Sequence, residues 1–298
     1  MHLNKIKKKE SFLFVLSDHG SANIIKSFVN KHNIKNCKFF FISKKTQYMF
    51  EKYKKFFIKN NKNFGLFDNI IVGTGGNEKK YYKLLNQFSM KSKIYFLIDH
   101  WLSVDQRLNF NLLNRYKVNL VFSEIKNLKE IQNKLKYSKV YKIKNYFMQD
   151  VIDKIKKGKN YLYNYLYIDD LASYIRNKKK EKEVHKDCVK NFFIFLKKKN
   201  KKKIKVLIRP HPSDKDEVIK KLVFSFQKKF NLRNVNFNFS NRNLSILYDL
   251  KNCQSIVGSQ SSALLLSKKL GKPTYTSLRN KYLRKFASNS PSFKNILI

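Results

Sequence analysis

Short apolar runs alternate along this chain with longer segments in which apolar residues recur every three or four positions. Phe12–Ser17, Cys37–Ser43, Asn69–Gly75, Lys93–Asp99, Asn119–Ser123 and Lys139–Ile143 are runs of five to seven residues, rich in Val, Ile, Leu, Phe and Tyr. A strand with one face in water alternates apolar and polar residues. A run that stays apolar at successive positions is buried on both faces, as in a parallel sheet covered by helices. The helix-sized segments between the runs supply that cover, so residues 1–155 are predicted to form a doubly wound α/β domain.

The pattern weakens between Tyr146 and Tyr161, where Gly158 among lysines marks a predicted linker. The alternation then returns. Strands are predicted over Tyr161–Asp169, Lys203–Pro212, Val235–Phe239, Gln254–Gly258 and Lys272–Leu278. Helices are predicted within Asp187–Lys198, Asp214–Phe230, Asn243–Leu250 and Ser261–Gly271. The expected architecture is two Rossmann-like doubly wound domains, 1–155 and 156–298, facing a central cleft. No internal sequence repeat relates the halves.

Composition changes this picture little. Hydrophobic residues make up 42% of the 298 and aromatics 15%, a folded composition that excludes a disordered chain. Lys and Arg number 65 against 20 Asp and Glu, a formal net charge of +45. Such an excess fits nucleic acid or an anionic membrane as a partner. Lys, Asn, Ile, Phe and Tyr are enriched together, however, as codon usage in a genome poor in G and C produces. Arginine, the usual reader of phosphates and guanine edges, is scarce beside lysine. No helix-turn-helix, RNP or zinc-finger signature accompanies the charge, so no specific nucleic acid is expected, and a basic nucleic-acid-binding protein is the alternative of another class. The charge leaves room for peripheral contact with an anionic membrane.

Cys37, Cys188 and Cys253 are odd in number and far apart, which argues for a reducing compartment and against a disulfide framework. His185 and Cys188 stand one helical turn apart, half of a metal site at most. No second half accompanies them, and an exposed His beside a buried Cys is expected, so no metal site is assigned. No apolar run approaches the ~18 residues of a membrane-spanning helix. The N-terminal apolar run is too short for a signal peptide's core and leads into Asp18 and His19, so it is read as a first buried strand. A cytoplasmic location is expected, with the inner face of the membrane as a peripheral site.

Chemistry concentrates where strands end. In open α/β sheets, ligands bind beyond the carboxyl ends of the strands, where helix N-termini present free N–H groups and the positive end of the dipole. "IRPHPSD" (Ile208–Asp214) ends one predicted strand with His211 held between Pro210 and Pro212. Its ring can donate to a phosphate, or it can be a satisfied structural group. Arg209 beside it is a candidate phosphate or salt-bridge partner. Asp214 and Asp216 resemble a D-x-D metal pair, but Ser213-x-x-Asp216 is also a capping box, the preferred reading. "VGSQSSALLL" (Val257–Leu266) ends another strand with Gly258, Ser259, Ser261 and Ser262 opening a helix, a ready anion site and equally a source of N-caps. Gly73, Gly75 and Gly76 in "VGTGGN" allow close backbone approach to donor or acceptor, or simply a tight turn; the spacing matches neither a P-loop nor a dinucleotide fingerprint.

"RPHPSD" followed by "VGSQSSALLLSKKLGKP" resembles the HP and serine motifs of bacterial sialyltransferases and related nonulosonate or capsule-polysaccharide glycosyltransferases with the GT-B fold. The resemblance covers most of the C-terminal half; the N-terminal half matches only in general architecture. It implies that His211, Ser261 and Ser262 bind the phosphate of a CMP-sugar donor, that no cofactor is needed, and that the acceptor is a glycan or glycolipid. It also implies an acidic general base in the first domain. The family's acidic triplet is missing here, and Asp99 and Asp18, each beside a histidine at the end of an apolar run, are the candidates. Asp99 is preferred, with Trp101 near enough to wall a sugar site or to serve as core packing. The implied reaction is inverting, metal-independent sugar transfer. A UDP-sugar hexose transferase and an enzyme of the UDP-N-acetylglucosamine 2-epimerase type are the alternatives.

Overall fold

A computed structural model describes residues 10–59, 64–74, 79–99, 104, 108–123, 128–155, 160–169, 178–199, 203–210, 216–241, 244–259, 261–279, 281–282 and 293–296. The chain divides into two units, Met1–Asp150 and Val151–Ile298. Each is built on a six-stranded sheet in which every pairing is parallel.

The first sheet comprises β1 (Phe12–Leu16), β2 (Cys37–Phe41), β3 (Asn69–Thr74), β4 (Lys93–Ile98), β5 (Asn119–Phe122) and β6 (Val140–Lys142), in the order β2-β1-β3-β4-β5-β6. Its helices are α1 (His19–His32), α2 (Lys79–Tyr82), α3 (Phe110–Arg115), α4 (Leu128–Gln132) and α5 (Tyr146–Lys154). Two apolar clusters explain the unbroken hydrophobic runs. Leu13 and Val15 of β1 join Ile70, Val72, Phe96 and Leu120 on one face. Phe12, Phe14 and Leu16 join Ile71, Leu97 and Val121 on the other, with Ile24, Ile25 and Phe28 of α1 packed over them. Neighbouring residues of one strand thus belong to different cores, and neither face is left for water.

The second sheet comprises β7 (Tyr163–Ile168), β8 (Ile204–Arg209), β9 (Val235–Phe239), β10 (Cys253–Gly258), β11 (Thr274–Thr276) and β12 (Lys294–Asn295), in the order β12-β11-β10-β7-β8-β9. Its helices are α6 (Lys178–Lys198), α7 (Asp216–Phe230), α8 (Ile246–Asn252) and α9 (Ser262–Lys269). Phe192 and Phe193 of α6 and Val223 and Phe226 of α7 bury against Tyr167, Val206 and Ile208. Counted from β7, the strand order reads 3-2-1-4-5-6 across the sheet, the dinucleotide-fold arrangement.

Two expectations are corrected. The predicted linker begins with a helix, α5, whose Met148 N–H is capped by Asn145 Oδ1 at 3.0 Å and whose Met148 and Val151 are buried. Between β2 and β3 lies an irregular 3-10 segment, Lys44–Phe56, with the rings of Phe50 and Tyr53 packed at a tilt against Phe39.

Four of the helix ends follow one rule. Asn33, Lys117, Asn231 and Gly271 have φ of 50°, 49°, 52° and 74°. Each follows a helix and turns the chain toward the amino end of the next strand, where a left-handed residue releases the helix C-terminus. No helix among the described residues is long and apolar enough to cross a membrane.

Candidate functional site

Strand order locates the crevice of each sheet. From β1 the chain moves outward to β2 and then returns to β3 on the opposite side; from β7 it runs outward to β9 and returns to β10. Helices on the two sides of such a reversal cover opposite faces, leaving an opening at the carboxyl ends of the two inner strands.

In the first sheet that position holds the end of β1, the end of β3 and the start of α1. Asp18 is the N-cap of α1. Its Oδ1 accepts from the N–H groups of Gly20 at 2.8 Å and Ser21 at 3.2 Å, and its Oδ2 accepts from the Ser21 hydroxyl at 3.2 Å. Asp99, just beyond β4 and half-buried, reaches the same helix end. A methyl placed on Gly20 would overlap its carboxylate and would lie 3.3 Å from Asp18 Oδ1. The two candidate bases therefore converge on one glycine, with Asp18 committed to capping and Asp99 standing over the first turn. Ser17 and Tyr81 are hydrogen-bonded beside them.

Gly73 lies within β3 and is fully buried. A Cβ there would sit 2.7 Å from Ser21 Oγ and 3.1 Å from Ile25 Cδ1. Its missing side chain lets α1 settle against the sheet, placing that helix's N-terminus at the strand ends. Gly75, Gly76 and Trp101 lie outside the described residues.

In the second sheet the crevice falls between β7 and β10. Gly258 ends β10, and a Cβ there would meet Ile168 O of β7 at 3.1 Å. Ser259 follows, 1% exposed, its carbonyl accepting from Thr276 Oγ1 at 2.6 Å. Ser261 is the N-cap of α9, its Oγ accepting from Leu264 N–H at 3.3 Å, and Ser262 is exposed in the first turn. The serine loop thus supplies both a cap and a helix N-terminus carrying unpaired N–H groups.

Arg209, at the end of β8, forms the salt bridge rather than an open cation. One guanidinium nitrogen donates to Asp249 Oδ2 at 2.5 Å and Ser240 Oγ at 3.1 Å; the other donates to the Leu244 carbonyl at 2.9 Å. Asp249 is buried and also accepts from Ser240 at 2.6 Å, so α8 is tied to β8 and β9 through a closed network. His211, with Asp214, lies outside the described residues.

One group at this crevice had not been singled out. Asp169 immediately follows β7, and its Oδ1 is 2.6 Å from Nε2 of His185 on α6. His185 is therefore buried and paired, a correction to the exposed histidine expected beside Cys188. The acid at the end of an apolar run was the available signal, the same one that marked Asp99. Among the described residues no group of three or more His, Cys, Asp and Glu side chains could hold a metal ion.

No protein-family model matches the chain, and no curated protein sequence matches it. Solved structures do. A glycosyltransferase from Rickettsia africae superposes with a TM-score of 0.56 at 8% identity, over 91% of this chain and 79% of that one. The Anabaena protein HepE in complex with UDP-glucose gives 0.55 at 10% identity, over 90% and 80%. UDP-GlcNAc 2-epimerase from Neisseria meningitidis bound to UDP-GlcNAc gives 0.54 at 12% identity, over 89% and 82%. The fold is of the GT-B type. At these identities the likeness establishes two parallel-sheet Rossmann-like domains shared across most of each chain. It carries no residue correspondence, and none of the three is named as a sialyltransferase.

Proposed function

We propose that the chain is a nucleotide-sugar-dependent glycosyltransferase whose second domain binds the donor and whose first domain supplies the base. The observation that carries the reading is the serine loop at the switch point of the second sheet. There Gly258 brings the backbone against β7, and Ser259, Ser261 and the first turn of α9 stand at the position where such sheets take a phosphate. In this reading His211 adds a hydrogen bond or a positive charge to the leaving phosphate, and no cation is invoked. Asp99 deprotonates the acceptor hydroxyl, a contribution of about 10²–10⁴-fold, while Asp18 holds the helix beneath it. Direct displacement of this kind inverts the anomeric centre.

The donor is assigned as a uridine diphosphate sugar. The Anabaena neighbour binds UDP-glucose and the Neisseria neighbour UDP-GlcNAc, and this support outweighs the CMP-sugar implied by the motif resemblance. The acceptor assigned is a glycan or glycolipid, and the net charge of +45 favours one presented at an anionic surface. The Neisseria epimerase neighbour supports a second reading, conversion of UDP-GlcNAc without an acceptor.

Calorimetric titration with UDP, CMP and GDP tests the assignment. Selective UDP binding that weakens in His211→Ala is expected. Selective CMP binding would return the donor to a nonulosonate, and no nucleotide binding would overturn the transferase. Incubation with UDP-GlcNAc alone separates the second reading, since only an epimerase converts it unaided.

A further inference from the structure

Asp169 is placed as a ligand residue is placed. It stands one residue past the carboxyl end of β7, the inner strand of the reversal. Its own N–H donates to the Arg209 carbonyl at 2.9 Å, so it is fixed beside the strand that leads to His211. On its other side Ile168 adjoins Gly258, where the serine loop begins. The side chain is 1% exposed.

Its hydrogen bonding is incomplete. Oδ1 is held by His185, yet Oδ2 is buried with no hydrogen-bond partner among the described residues. A buried acceptor left unpaired is expensive, and more so on a carboxylate, which carries about four lone-pair sites. If the pair served only to fasten α6 to the sheet, a second donor from the fold would do so without an orphaned oxygen. Asp249, one strand away, shows the satisfied alternative, with Arg209 and Ser240 both on its Oδ2.

We propose that Asp169 recognises the donor: Oδ2 accepts a hydrogen bond from a hydroxyl group of the nucleotide-sugar, and His185 is the positioning residue that holds the carboxylate for it. The inference rests on the nucleotide-sugar reading of the second domain and extends it to hydroxyl recognition beside the phosphate site. Ribose and hexose both offer such hydroxyls, and the two are separable by experiment.

The test is calorimetry of wild type, Asp169→Ala, Asp169→Asn, His185→Ala and His185→Gln with UDP and with UDP-glucose, alongside thermal unfolding of each. Asp169→Ala is expected to weaken binding about ten- to a hundredfold, with Asp169→Asn losing less. Loss for both ligands assigns the hydroxyl to the ribose, and loss for UDP-glucose alone assigns it to the sugar. His185→Ala should weaken binding and His185→Gln should restore it, because a glutamine amide can still donate to Oδ1. Variants that lower the melting temperature but bind like wild type would overturn the inference and leave a fastening role. Should Asp169→Ala fail to fold, wild-type affinity in Asp169→Asn and His185→Ala would overturn it equally. If the wild type binds neither ligand, the transferase reading has failed, and this assignment falls with it; binding by wild type with unchanged variants removes the Asp169 assignment alone.

Discussion

Gly20 shows how much one missing methyl can decide. Asp99 occupies the space a Cβ would need, so Gly20→Ala should push the carboxylate aside while leaving the helix intact. With Asp99 as the base, a displacement near 1 Å costs about a hundredfold in turnover. Steady-state transfer assays alongside a melting curve check this: the expected result is lost turnover with little change in stability. The Arg209–Asp249 pair makes the opposite case. Asp249→Ala strands a buried guanidinium and should destabilise the second domain by about 3–5 kcal/mol, measured by urea unfolding. Neither pair was legible in sequence, nor was Asp169–His185. The members of the two pairs lie 40 and 16 positions apart and meet only because strand order sets β8 between β7 and β9 and folds α6 and α8 back over their ends. Candidate residues at strand ends could be read from the chain, but their partners could not.

At the scale of elements, the strands were readable because burial on two faces removes polar positions from them, leaving runs that need no periodicity analysis. Helix α5 was missed because the lysines and Gly158 that follow it pointed to a linker, and only Met148 and Val151 among its residues are deeply buried. The two-residue β12 is too short to leave a pattern. Strand burial also sets a limit on alkaline stability. Burial pushes the Cys253 thiol up to about 12, with Asp249 adding to the shift and Lys272 opposing it. Burial likewise pushes Cys37 up to about 11 against Lys38, and Tyr95 up to about 12. In each case the fold favours the protonated form, so the folded value lies above the unfolded one. Stability from these groups is complete below the ordinary thiol value of 9.0 and is lost as pH rises through about 11 to 12. Urea midpoints should therefore fall steeply above pH ~9, and less so in Cys37→Ala with Cys253→Ala.

Across the whole molecule, positive charge prevails. At +45 the folded chain repels itself, and screening relieves that repulsion within a Debye length of about 8 Å at physiological salt. The melting temperature should rise as salt is added from ~10 mM toward ~150 mM, by scanning calorimetry. Sedimentation with anionic vesicles should show binding that the same salt weakens; binding unaffected by salt, or none, would count against a membrane-surface acceptor. Charge was fully visible in the sequence. Its meaning was not, because lysines enriched by codon usage and lysines placed for a partner look alike until a fold distributes them.

The left-handed residues Asn33, Lys117, Asn231 and Gly271 all stand where helices hand over to the amino ends of strands. In parallel sheets that edge is opposite the one carrying Asp18, Asp99, Asp169 and the serine loop. Each sheet therefore has a handle and a working edge of its own. Fluorophores, surface tethers or new chain termini introduced at those four turns would sit, in each sheet, at the strand ends opposite its candidate site residues.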